Sequence, residues 1–266
     1  MRGIGELEPA VARAIEAVAF DVDDTVTREG VVEREAMDAL FALRDAGIPR
    51  IAVTGRPLGW ADVIAATWPV SAAVGENGAG WAWRVGRELR EGYWESDEAR
   101  VRGERSLAAV RAVVARDLPE LTLAWDQRGR RCDLAFDVGE RARCDAATIA
   151  RLRSVLEREG MRVVVSSVHA HAMRSDWDKA QGTVRAMREV LGWDEARVRE
   201  RVLFVGDSGN DAAAFAFFAR TAGVANVRDH LASLPRAPGY VSSADRGRGF
   251  AEIVGALLAA RGSEAR

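Results

Sequence analysis

The chain has 266 residues, 48% of them hydrophobic and 29% charged, with a formal net charge of -2. That length accommodates one large domain, or one domain carrying a second inserted into it. The near-neutral balance gives no footing for nucleic acid or an anionic membrane, and no apolar stretch approaches the roughly 20 residues that span a bilayer.

The opening segment MRGIGELEPAVARAIEAVAF carries acidic residues where a secretion signal is apolar, which fits a cytoplasmic protein. Five short apolar runs read as buried strands: AVAF (17–20), IAV (51–53), AAV (72–74), VLFV (202–205) and AGVA (222–225). Helical spacing of apolar residues recurs between and after them, at 33–46, 178–191, 209–218 and 250–258. Strand-helix alternation of this kind predicts an α/β fold with a parallel sheet covered on both faces.

The middle of the chain breaks the alternation. WAWRVGRELREGYW (81–94) reads as a hairpin of exposed, aromatic-rich strands around Gly86. A helix at 97–116, a strand at 131–138, a helix at 145–159 and a strand at 162–168 follow, enough for a small α/β layer of their own. The expected division is a core of 1–84 and 177–266 with an insertion of 85–176. Cys132 and Cys144, the only cysteines, match no zinc spacing and read as reduced thiols, although two thiols can pair. The tail RGSEAR is expected to fray.

In open parallel sheets ligands bind beyond the carboxyl ends of the strands. Asp21 and Asp23 follow the first strand, Thr54 the second, and GDSGND (206–211) the strand VLFV; Lys179 opens the helix after the insertion. Clustered carboxylates repel one another and cost several kcal/mol to bury unless a cation offsets them. Oxygen ligation without His or Cys suits Mg²⁺, which Asp21 and Asp207 can share. A carboxylate beside such a cation can attack phosphorus, and phosphoryl transfer depends mostly on positioning and charge neutralisation. Asp23, two residues on, points to the same side as Asp21 and can protonate a leaving alcohol. Thr54 and the backbone at Gly55 can hold phosphate oxygens, Lys179 supplies a point charge, and Asp211 orients Lys179 or metal waters.

Taken together, DVDDT, VTGR, the lysine of DWDKAQG and GDSGND resemble the four ordered motifs of the haloacid dehalogenase superfamily. GENGAG (75–80) and GRGF (247–250) resemble its subgroup with a large α/β cap between the second and third motifs, which includes sucrose-phosphate, trehalose-phosphate and mannosyl-phosphoglycerate phosphatases. The resemblance implies a Rossmann-like core, Mg²⁺ dependence and an aspartyl-phosphate intermediate. It makes Asp21 nucleophile and metal ligand, and Asp23 acid/base with its carbonyl on the metal. Thr54 and Lys179 would bind the phosphoryl group, with Asn210 beside them, and Asp207 would complete the metal site. A glycine often stands where this chain has Asp24. The implied partner is a small phosphate ester such as a sugar phosphate.

Other residues admit two readings. Arg56 either reaches substrate or sits on the surface. Asn77 either touches the leaving group or marks an Asn-Gly turn. His169 and His171 alternate on one strand face and either contact a substrate hydroxyl or are half-exposed; no third metal ligand accompanies them. Three rivals remain. A signalling receiver would lack an acid two residues after its nucleophile, a binding module needs no such acid, and a phosphomutase or phosphotransferase would differ only in its acceptor.

Overall fold

The computed structural model describes residues 1–166 and 168–262, so the last four residues of the expected frayed tail lie outside the described residues. The N-terminal part contains β1 (Arg2–Gly3), α1 (Pro9–Ala14), β2 (Ala17–Asp21), a small hairpin of β3 (Thr27–Arg28) and β4 (Val31–Val32), α2 (Arg34–Asp45), β5 (Arg50–Val53), α3 (Leu58–Thr67) and β6 (Ala72–Gly75). Then come β7 (Gly80–Val85), β8 (Glu88–Tyr93), α4 (Asp97–Asp117), β9 (Leu134–Asp137), α5 (Ala146–Arg158), β10 (Arg162–Val165) and β11 (His169–Met173). The chain ends with α6 (Lys179–Leu191), α7 (Glu195–Arg201), β12 (Val202–Gly206), α8 (Ala212–Phe217), β13 (Arg220–Gly223), β14 (Tyr240–Val241) and α9 (Arg246–Gly262).

The large sheet runs β1-β14-β13-β12-β2-β5-β6-β7-β8. It is parallel from β1 to β6 and antiparallel at β7 and β8. Alternation along β2 explains why its sequence is apolar throughout. Val18 and Phe20 pack with Leu40, Leu43, Phe250 and Leu257 on one face. Ala17 and Ala19 pack with Val184, Met187 and Phe215 on the other. Chain order reverses at β2, with β5 on one side and β12 on the other, so the crevice at their carboxyl ends is the topological switch point.

A second, antiparallel sheet, β10-β11-β9, carries α4 and α5 on one face. Ala170 and Ala172 of β11 face these helices, beside Leu107, Val110, Leu152 and Leu156. His169 and His171 therefore face the other way.

The structure corrects three expectations. Trp81 and Trp83 are buried against Val184 and Met187, not exposed, and the Trp81 indole N–H donates to Glu189 at 2.7 Å. β8, expected in the insertion, pairs with β7 as an edge of the large sheet. The strand expected at 222–225 ends at Gly223, because from Ala225 the chain coils into a 3-10 segment. Both cysteines are free thiols, Cys132 buried and Cys144 half-buried. No helix among the described residues is long and apolar enough to cross a membrane.

Candidate active site

β2 delivers Asp21 to the sheet edge, and the turn after it is closed by the Val26 N–H donating to the Val22 carbonyl at 3.0 Å. Asp24 sits in this turn at φ 55, a left-handed conformation that glycine adopts freely and aspartate tolerates. Arg246 Nε donates to its carboxylate at 2.9 Å. Thr54 follows β5 and Asp207 follows β12, so parallel neighbours bring all three groups to one place.

Lys179 is the first residue of α6, whose N-terminus is capped by the Asp178 carboxylate accepting from Gln181 N–H. Its ammonium lies 2.7 Å from Asp21 Oδ1 and 2.8 Å from Asp211 Oδ1, and its side chain is fully buried. Asp211 Oδ2 accepts the N–H groups of Asp207 and Ser208 at 2.9 and 3.3 Å, so both its oxygens are engaged. Asp207 accepts from Thr25 Oγ1 at 3.2 Å and from Asn226 Nδ2 at 3.1 Å.

Three buried carboxylates, Asp21, Asp207 and Asp211, bring oxygens within 4.8 Å of one another, against the single charge of Lys179. Burial and then Asp211 push the Asp21 carboxyl up to about 7, although Lys179 pulls the other way. Burial, reinforced by Asp21, holds the Asp207 carboxyl well above the usual range. For Lys179 burial favours the neutral amine, yet Asp21 and Asp211 outweigh it and raise its pKa. An all-oxygen donor set with excess negative charge fits a hard divalent cation such as Mg²⁺. Asp21 and Asp207 offer the less engaged oxygens.

Thr54 is buried, its hydroxyl accepting from Arg56 N–H at 2.9 Å and donating to Asp23 Oδ2 at 3.4 Å. Asp21, Asp23, Gly55 and Asn210 line one cavity with His169 and His171 from β11. Its volume is about 10 Å³, room for a single water, so the second sheet lies closed over the strand ends. Asn210 Oδ1 accepts from the Ser208 hydroxyl at 2.9 Å.

Arg56 is only 4% exposed, which removes the surface reading. Its guanidinium donates to Asp23 at 2.9 Å, Asp126 at 3.1 Å and Glu140 at 2.8 Å, tying the large sheet to the second layer. The histidines are buried rather than half-exposed. His169 Nε2 pairs with Glu140 at 3.0 Å, and His171 Nδ1 with Asp133 at 3.0 Å. Burial lowers the pKa of both, that of His171 to about 4.

Sequence reasoning did not single out Asp126, Arg130, Asp133, Glu140 or Glu76. Arg130 donates to the Gly55 carbonyl and to Asp133, both at 2.9 Å. A signal was present in CDLAFDVGE (132–140), where aspartates flank a buried apolar run much as they do after AVAF.

Glu76, fully buried at φ 47, accepts four backbone N–H groups, from Leu58, Arg131, Cys132 and Asp133, at 2.6 to 3.1 Å. Burial and then Asp133 push its carboxyl up to about 7, against the pull of Arg130 and these donors. Glu76→Gln would turn an NH₂ toward N–H donors, and about 3 kcal/mol of stability should be lost. The urea midpoint measures this; an unchanged midpoint would show that the carboxylate does not anchor the 131–133 segment.

No protein-family model matches the chain, and no curated protein matches it in sequence. Solved structures do match it. One from Thermoplasma acidophilum superposes with a TM-score of 0.70 at 19% identity, covering 92% of this chain and 98% of the other. The sucrose-phosphatase of Synechocystis sp., solved with sucrose and phosphate, gives 0.63 at 16% identity, with coverage of 92% and 98%. A haloacid dehalogenase-like hydrolase from Bacteroides thetaiotaomicron gives 0.60 at 15% identity, with coverage of 91% and 98%. The chain has the haloacid dehalogenase-like fold. Near-complete coverage on both sides extends that likeness to the second sheet as well as the large one.

Proposed function

We propose that this protein is a Mg²⁺-dependent phosphatase that hydrolyses a small phosphate monoester, with sugar phosphates the favoured class, through an aspartyl-phosphate. The observation that carries this reading is the buried cluster of Asp21, Asp207, Asp211 and Lys179 at the switch point, with Asp23 and Thr54 beside it. A structural ion pair needs one carboxylate for one lysine, and this cluster has more. The likeness to a sucrose-phosphatase supports the sugar-phosphate class.

In this reading Asp21 attacks phosphorus and the bond to the leaving oxygen breaks. Asp23 gives that oxygen a proton and then takes one from the water that hydrolyses the aspartyl-phosphate, releasing phosphate and restoring Asp21. Lys179, the Thr54 hydroxyl and the Gly55 N–H hold the phosphoryl oxygens. Asp21, Asp207 and the Asp23 carbonyl would hold Mg²⁺, whose charge offsets the repulsion between carboxylate and phosphate dianion. The layer of α4, α5 and the second sheet acts as the cap, and its closure by Arg56 excludes bulk water.

Activity on a panel of sugar phosphates and 4-nitrophenyl phosphate should vanish with EDTA and return with Mg²⁺. Purified protein that hydrolyses no member of the panel under either condition would sink the reading.

A further inference from the structure

Asn77 is a buried amide without a partner. It is 2% exposed, and neither Oδ1 nor Nδ2 makes a hydrogen bond. Buried side-chain polar groups are rarely left so, and each instance calls for a ligand or another cause. Its backbone sits at φ 55, and its N–H donates to the Thr54 carbonyl at 3.0 Å, which fixes it beside the phosphate-binding turn. A Cβ built on Gly55 would lie 3.1 Å from Asn77 Oδ1, and 3.3 Å from both Asn77 Nδ2 and His171 Nε2. Three polar atoms thus converge beside Gly55, closely enough that any side chain at position 55 would crowd them, and they form a polar notch against its backbone. Two belong to the large-sheet side and one to the second sheet, so the notch lies between the two layers.

The chemistry of the notch is set by Asp133. An ionised carboxylate accepts only, so His171 carries its proton on Nδ1 and turns the bare Nε2 lone pair toward Gly55. The low pKa of His171 keeps the ring neutral near pH 7. A lone pair there repels phosphoryl oxygens and attracts an O–H. The Asn77 amide can give that same oxygen a hydrogen bond. His169 is different, because its Nε2 is already paired with Glu140.

We infer that Asn77 and His171 form a hydroxyl-reading notch beside Gly55, and that the leaving alcohol carries a free hydroxyl close to the ester carbon. This deepens the phosphatase reading and rests on it. It assigns specificity to the notch, whereas binding of the phosphoryl group stays with Thr54 and Lys179. A site that pairs with a substrate hydroxyl discriminates strongly against analogues lacking it, since its own polar groups are then left unmatched.

The test compares kcat/KM for sugar and polyol phosphates with that for 4-nitrophenyl phosphate, which has no such hydroxyl. The parent enzyme should favour at least one hydroxyl-bearing ester by about tenfold or more. Asn77→Gly removes the amide while suiting the positive φ, and should lower that ratio by about tenfold. His171→Phe keeps a ring while Asp133 retains Arg130, and it carries the same test should Asn77→Gly not fold. Equal losses on both kinds of ester, or a ratio that barely changes, would overturn the notch while leaving the phosphatase reading standing. Absence of hydrolysis of every ester would instead remove that reading, and the notch with it.

Discussion

Lys179→Arg is expected to lower turnover by about 100-fold or more, because it displaces the reacting groups by an ångström-scale shift. The lysine is the only one among the 38 lysine and arginine residues, so arginine is the ordinary basic residue of this chain. At this position the surroundings forbid it. The ammonium is fully buried between Asp21 Oδ1 and Asp211 Oδ1 at 2.7 and 2.8 Å, a gap that fits a compact point charge. A planar guanidinium would push Asp21 off the line of attack proposed for it or break the Asp211 hydrogen bonds that hold the 207–208 backbone. Lys179→Ala should destabilise the fold as well, because the side chain it removes is buried between two carboxylates. Removing the cation strands two buried carboxylates, and about 3–5 kcal/mol of stability should go with it. Steady-state kinetics and urea unfolding of both variants check this. Near-normal turnover of Lys179→Arg would place the lysine outside the reacting centre.

The parts of this molecule that were legible share one property: local sequence decides them. β2, β5, β6 and β12 are buried on both faces, so each reads as an unbroken apolar run, and the polar residue that ends each run stands out. Asp21, Thr54 and Asp207 were found in this way. β1 and β14 are two residues long and gain strand character only from pairing with each other and with β13. α3 was missed because Gly59, Val63 and Ile64 weaken its helical signal, while its stability comes from burying Leu58, Ala61 and Ile64 against the sheet. The second-layer network was illegible for another reason. His171 meets Asp133 across 38 residues, and Arg56 meets Glu140 across 84, so no spacing rule connects them. Arg56 could be read either way until its three carboxylate partners were in view.

Asp21→Asn should abolish turnover and at the same time flatten the pH dependence of stability. The first effect follows because a carboxamide is no nucleophile and no aspartyl-phosphate can form on it. The second follows from linkage. In the folded, metal-free protein the Asp21 carboxyl is raised from 3.8 to about 7, so the folded state holds this proton more tightly than the unfolded one. The associated stability is fully present below about pH 4 and is lost as pH rises through about 7. Asp207 shifts in the same direction and adds to the loss. Within that interval each pH unit removes up to about 1.4 kcal/mol per such group. In EDTA, therefore, the parent protein should unfold more easily at pH 7 than at pH 5, and Asp21→Asn should reduce the difference. Mg²⁺ should restore the parent at pH 7 and help the variant less, because a carboxamide offsets less of the cation's charge. Asp23→Asn serves as the contrast. It leaves Asp21, Asp207 and Asp211 in place, so the slope of stability with pH should persist. Its loss of rate should be smaller on 4-nitrophenyl phosphate, whose leaving group departs without a proton, than on an alkyl phosphate. Thermal unfolding at several pH values, with and without Mg²⁺, and rates on the two esters separate the roles. A variant Asp21→Asn that still hydrolyses either ester at a substantial rate, or identical behaviour of the two variants in both measurements, would refute this division between the two aspartates.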